Sequence, residues 1–303
     1  MRLVFLNKIL SKFSLMLIIS FTGNCLAGEK INQSLVVDAD GKVFVEIPRG
    51  LVNIQGWNKQ EIMVQGELED TAKALIFKTK KDKTLIKINT ERQQHWGDAS
   101  VLKIFIPQQT SLHFKGIDTS FVISKLNNHI EGKSINGDLK VLESHGKIKL
   151  SVVSGNIKVA ESSGLIKIES VSGDIDFSGK FEEAYLKTMA GDITSDISGL
   201  DKLTLNNISG ETQIRGQVKE EAELKLTSVS GEIVYMASSE LNAECEMVSQ
   251  FGGEITNHLT DDLPIDGNLH KKTLNFISGD GSGTLIMNSV TGSVTILKDD
   301  AND

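Results

Sequence analysis

The sequence is poor in proline, aromatics and positive charge. It holds only 3 prolines, which excludes a collagen or a proline-rich linker. Aromatic residues make up 5% of the chain, and 2 tryptophans with 2 tyrosines are a poor track for a sugar polymer. Basic residues number 32 against 40 acidic ones, a net charge of -8. Such a chain repels phosphate backbones and anionic lipid surfaces, so no nucleic-acid partner is expected. What is plentiful is glycine, at 27 residues, with hydrophobics at 39% and charged residues at 24%. That balance folds rather than staying disordered, and it suits a β protein with many tight turns. A length of 303 residues allows one or two domains.

The first residues read as an export signal. Arg2, Lys8 and Lys12 precede the apolar run Phe13–Phe21, and small residues lead to Ala27. This three-part plan predicts a signal peptide over residues 1–27, cleaved after Ala27. As a helix the run would rise ~14 Å, against a hydrocarbon core of ~30 Å, so it is too short to span. Cys25 is preceded by Asn24, with Thr22 three positions before it, which departs from a lipoprotein signal. Simple export to the periplasm or cell surface is the expectation, ahead of lipid attachment, with no transmembrane segment in the mature chain. Only Cys245 then remains, and it reads as a small buried hydrophobe.

From about residue 131 to 298 the sequence repeats. Glycines fall at 137, 146, 155, 164 and 173, then at 191, 210, 231 and 253. The residue two before the main glycines is apolar: Ile135, Val153, Val171, Met189, Ile208, Val229, Phe251, Ile277 and Val290. At the intervening Gly146 and Gly164 it is Ser144 and Ser162. Apolar and serine therefore alternate, and the unit is about eighteen residues with two similar halves. The apolar positions are expected to form one inward column. Pairs such as Ile148 and Leu150, Ile166 and Ile168, or Ile157 and Val159 are spaced by two, as in strands with one buried face. One unit cannot hide its apolar stripe, whereas stacked units bury it continuously. The predicted fold is all-β, a single-chain β-solenoid with coils of about 18 to 22 residues. A sandwich of hairpins is the rival, but it has no reason to keep one residue type at one phase.

Residues 28–130 form a β region without a clear repeat, which begins the solenoid or caps it. Strands are expected at 42–47, 51–55, 62–67, 75–80, 85–89 and 101–106. The basic run Lys78–Thr84 is expected to be a solvated hairpin tip, and residues 299–303 form an acidic tail.

The histidines His95, His113, His129, His145, His258 and His270 include no helix-spaced pair, so no metal ligand or cofactor is predicted. No G-x-S-x-G elbow occurs, and Gly279-Asp-Gly-Ser-Gly lacks a phosphate-loop lysine. No catalytic residue emerges, and the chain is expected not to be an enzyme. Acids follow the main glycines: Asp138, Asp174, Asp192, Glu211, Glu232, Glu254 and Asp280, with Asn156 among them. In stacked units they form a row, a candidate cation strip or recognition ladder. The competing explanation is that Asp and Asn suit turns by bonding nearby backbone. Trp96 and His95, in a polar loop, are a candidate ligand contact.

Gly56-Trp57-Asn58, the strand ending at Ile106-Pro107 and the reiterated pattern of Ser170–Ile175 resemble a bacterial envelope family of unknown function, described as “putative adhesins” with β-strand repeats. The resemblance covers most of residues 36–297. It implies an extracytoplasmic β-solenoid without known enzymatic activity, and it offers no catalytic residues. The functional expectation is a non-enzymatic binding or scaffold protein that meets an envelope protein or glycan. The alternatives are a polysaccharide-active β-helix enzyme and a structural envelope-stress factor without a specific ligand.

Overall fold

The computed structural model describes residues 29–90, 98–237 and 240–299. The first strands are β1 (Lys30–Val36), β2 (Lys42–Trp57), β3 (Glu61–Glu67), β4 (Ala72–Lys80), β5 (Lys83–Thr90), β6 (Ser100–Pro107) and β7 (Ser111–Ser124). The middle of the chain supplies β8 (Ile130–Asn136), β9 (Leu139–Leu142), β10 (His145–Ser154), β11 (Ile157–Ser172), β12 (Ile175–Ala190), β13 (Ile193–Ser209) and β14 (Thr212–Ser230). The last are β15 (Ile233–Ala237), β16 (Ala243–Ser249), β17 (Ile255–Asn257), β18 (Ile265–Asp266), β19 (Lys272–Ser278), β20 (Gly283–Ser289) and β21 (Val294–Lys298). All belong to one hydrogen-bonded sheet that winds as a solenoid. Among the described residues there is no α-helix, and hence none long and apolar enough to cross a membrane.

Each coil is flat and has two inner faces. On one, Leu112, Ile130, Ile148, Ile166, Ala184, Leu203 and Leu224 lie in register, each opposite its counterpart in the next coil. On the other, Phe121, Leu139, Ile157, Ile175, Ile193, Thr212 and Ile233 do the same. These side chains are buried. Each large aliphatic one contributes about 1.5–3 kcal/mol of burial, and like packs on like at a fixed spacing. Longer strands such as β11 turn a corner, passing from one face of a coil into the opposite face of the next. The expected strands 42–47 and 51–55 are likewise one strand, β2, bent at Pro48–Gly50.

Volumes compensate between coils. Phe114 projects into space left open by Gly132, where a methyl group would stand 1.9 Å from the Phe114 ring. The same ring lies 4.5 Å from that of Phe121, centroid to centroid.

At both ends spatial order departs from chain order. Near the start, β5 and β6 pair with β2 on the side opposite β7. The chain thus builds an outer coil and then crosses β2 to continue. At the far end, β20 and β21 insert between β14/β15 and β16/β17. Antiparallel strands then cover both outer coils, with β3 on β6, β4 on β5 and β19 on β16. The reversal of direction ends the parallel stacking there, while among the described residues β17 pairs with β21 alone. The basic run forms the β4–β5 hairpin tip, with Lys80 opposite Lys83.

Candidate functional site

The main glycines line one long edge of the solenoid. Gly173 shows what that edge demands. Its φ is +127°, and a methyl group there would sit 2.1 Å from the Gly155 carbonyl oxygen. Stacked coils approach so closely at this corner that only glycine fits.

From Ile135 to Val229 the residue two before each main glycine is in register from coil to coil, but its sense is the reverse of the expected one. Ile135, Val153, Val171, Met189, Ile208 and Val229 point outward and are 42–48% exposed. Ile117 continues the row at one end and Val290 at the other, where Thr291 bonds the Val229 carbonyl. The strand alternation breaks at the corner: Ser170 points in, and Val171 and Ser172 both point out. The inward place is taken by Ser134, Ser170, Thr188, Asn207 and Ser228, and by Val152 in one coil, all buried. Ser134 Oγ donates to the carbonyls of Thr119 and Asn136, at 2.9 and 3.0 Å. On the opposite edge Ser144 and Ser162 are buried, bonding the Leu142 and Ala160 carbonyls at 2.8 and 2.9 Å. The serines are therefore the inner positions and the apolar residues the outer ones. Phe251 and Ile277 are also exposed, but Ile277 stands outside the row, on antiparallel β19 opposite Glu244.

The row of acids lies beside this apolar spine, and much of it is structural. The backbone N–H of Asn156 donates to Asp138 Oδ1, that of Asp174 to Asn156 Oδ1, that of Asp192 to Asp174 Oδ1, and that of Glu211 to Asp192 Oδ1, all at 2.8–2.9 Å. Each short side chain thus fastens its turn to the next coil. Beyond Asp192 the glutamates are bound differently. Glu211 accepts from Gln213, Glu232 faces Thr295 and Glu254 pairs with Lys272. Ser293 stands between Glu232 and Glu254, because β21 is inserted there. Asp280 is not in the row. It lies in the β19–β20 turn, where its N–H bonds Asn242 and its carboxylate accepts from Ser282. Those Ser282 bonds hold the Asp280 carboxyl below its usual range.

Trp96 and His95 lie outside the described residues, as do residues 1–28 and 300–303. Cys245 is buried, and burial pushes its thiol up to about 12, which makes it inert as a nucleophile. Trp57 closes β2, donating to the Glu61 carbonyl at 2.7 Å and stacking on Phe105. On the outer sheet surface, Lys115 and Lys87 lie 2.9 and 3.1 Å from Glu46. Hydrogen bonding from Lys115 leads the causes that hold the Glu46 carboxyl below its ordinary value.

No curated protein matches the chain. Solved structures do. A “putative lipid binding protein” from Parabacteroides distasonis has 14% identity and a TM-score of 0.50, covering 89% of this chain and 97% of that one. A “putative adhesin” from Bacteroides fragilis has 13% identity and a TM-score of 0.45, covering 91% of this chain and 100% of that one. A “putative cell adhesion protein” from Clostridium sporogenes has 11% identity and a TM-score of 0.29, covering 89% of this chain and 100% of that one. Residues 50–296 match the Toastrack DUF4097 family, and with a β-solenoid running through that span the chain belongs to it.

Proposed function

We propose that this is an exported, non-enzymatic binding or scaffold protein of the bacterial envelope, and that its glycine edge is the docking surface. The observation that carries this reading is the apolar spine. Scattered exposed apolar residues are ordinary, but a continuous row of them marks an interaction surface. At ~4.8 Å per coil the row from Ile117 to Val290 runs roughly 35 Å. The fold does not require it. The neighbouring outward positions are Ser154, Ser172, Ala190, Ser209 and Ser230, which meet the same corner with small residues.

Backbone groups along this edge are already paired between coils, as in Gly155 N–H to Ser172 O at 3.1 Å. A partner is therefore held through side chains rather than by adding a strand. The acids beside the spine give the surface a negative rim. An envelope protein with an apolar ridge and a basic border fits this arrangement better than a glycan, which would ask for aromatic platforms.

The test is a photo-crosslinking residue at Val171 in the intact envelope, with and without the flanking substitutions Val153→Thr, Met189→Thr and Ile208→Thr. A discrete protein adduct that is lost on mutation, with unchanged melting, is the expected result. An adduct pattern indifferent to the substitutions would overturn the reading. So would release of sugar products from envelope polysaccharide by the purified protein.

A further inference from the structure

A second site lies on the outer sheet surface, away from the glycine edge. His113 on β7 stands directly opposite Glu131 on β8. His129 precedes Glu131 by two residues, so an extended chain projects both from one face. The three converge. His113 Nδ1 is 3.5 Å and His129 Nε2 3.7 Å from Glu131 Oε2. The three ligand atoms lie within 4.8 Å of one another, and all three residues are half-buried. Among the described residues no other group of three or more His, Cys, Asp or Glu side chains converges in this way.

The surroundings hold these groups in place. The second carboxylate oxygen of Glu131 accepts from Lys149 Nζ at 2.9 Å, which leaves Oε2 turned toward the histidines. The Phe44 ring stacks on His113, with centroids 5.0 Å apart and planes within 10°. His129 meets His113 edge-on at 5.5 Å. Partners of this kind orient ligands for a metal. A tetrahedral ion at ~2.0–2.1 Å from each ligand needs ligand atoms ~3.3–3.5 Å apart, so small ring rotations complete the geometry.

We propose that His113, His129 and Glu131 form a binding site for a divalent transition metal of the Zn²⁺, Ni²⁺ or Cu²⁺ class. Two imidazoles and one carboxylate suit these ions. Ca²⁺ and Mg²⁺ take oxygen ligands throughout. Three protein ligands leave a coordination position open. A shallow depression of about 190 Å³ lined by Phe44, Lys115 and Lys133 borders two of the three ligands, His113 and Glu131. The ion would bridge two consecutive coils. Lys149 both steadies Glu131 and places a positive charge nearby, which moderates affinity.

The experiment uses the full chain, freed of metal by a chelator and carrying no histidine tag. Co²⁺ is titrated in and followed by its visible absorption, with Zn²⁺ then added as competitor. One equivalent of Co²⁺ should bind with the spectrum of a low-coordinate ion, and Zn²⁺ should displace it. His129→Ala and Glu131→Gln should each weaken binding about tenfold or more, whereas His258→Ala should not. Because His113 packs on Phe44, its loss could disturb folding, so the decisive variants are the other two. Zn²⁺ should raise the melting temperature of the parent and not that of Glu131→Gln. Absence of stoichiometric Co²⁺ absorption overturns the proposal. Binding that survives both decisive substitutions, or that is lost in His258→Ala, also overturns it.

Discussion

Gly173→Ala tests the stacking geometry most sharply. At φ +127° an alanine sits where L-residues are strained, at a cost of about 1–3 kcal/mol. Its methyl group would also lie 2.1 Å from the Gly155 carbonyl oxygen, and both atoms are set by backbone. Relief requires the two coils to part at this corner, which threatens the Gly155 N–H to Ser172 O bond of 3.1 Å. That bond is worth about 1 kcal/mol more. A total near 3 kcal/mol or above follows from these terms. Gly252→Ala is the internal control. Its φ is +83°, but nothing lies within 4 Å of the added methyl group. Only backbone strain remains, at about 1 kcal/mol. Urea unfolding of both variants should give a midpoint loss for Gly173→Ala well beyond that for Gly252→Ala, at similar slope. Equal losses would refute the argument that contact between coils, rather than local backbone preference, demands glycine on this edge.

Other consequences can be measured in the same way. Asp174→Ala should cost about 1 kcal/mol by stranding the Asp192 N–H, while Asp174→Asn should be nearly neutral in urea unfolding, because Asn156 already fills this role one coil away. Gly132→Ala should destabilise by about 1–3 kcal/mol through overpacking. Combining it with Phe114→Leu should recover part of that loss in a double-mutant cycle. Glu69 is buried with Oε1 unpartnered, and desolvation raises its pKa above the ordinary value despite Thr71 and Arg49. Its penalty is absent below the unfolded pKa near 4.5 and grows as pH rises through that value toward the raised folded one. Glu69→Gln should therefore stabilise at neutral pH and change little in acid, as read by melting temperature against pH. Glu46 is opposite in sign: its lowered pKa gives stability that is present above about 4.5 and is lost as pH falls through the folded value. Glu46→Gln should flatten the acid limb of the same curve.

The stacked core was legible in the sequence because inward positions recur in kind. Ile148 and Ile166, or Ile157 and Ile175, are an eighteen-residue period apart and meet in the fold. The sense of the corner was not legible. Period-two reasoning assigns an apolar residue inward and a serine outward, and it has no term for a bend at which two successive residues face solvent. At Ser134, Ser144 and Ser162 the inward hydroxyl bonds backbone carbonyls inside the bend. The ladder of Asp138, Asn156, Asp174 and Asp192 was visible as a row, and its bonds run to the next coil rather than within its own turn. Asp280 was misplaced because local sequence does not reveal that β20 and β21 re-enter between earlier coils. The histidine pair has no helical spacing to mark it. The relevant interval is the coil itself, and His113 and Glu131 are one coil apart.

That re-entry bears on how the molecule comes apart. In a simple solenoid the last coil wound is also the outermost, and it can unzip as a loose tail with every freed residue gaining full entropy. Here the outer strands β16 and β17 are tethered through the chain on both sides, to β15 and to β20. Lifting them releases a closed loop, whose gain in freedom is smaller. Withdrawing β21 would instead open a slot between two folded neighbours, exposing apolar walls on both sides. The far end behaves less like a ribbon's frayed tip than like a buckle whose tongue has been tucked beneath its own strap.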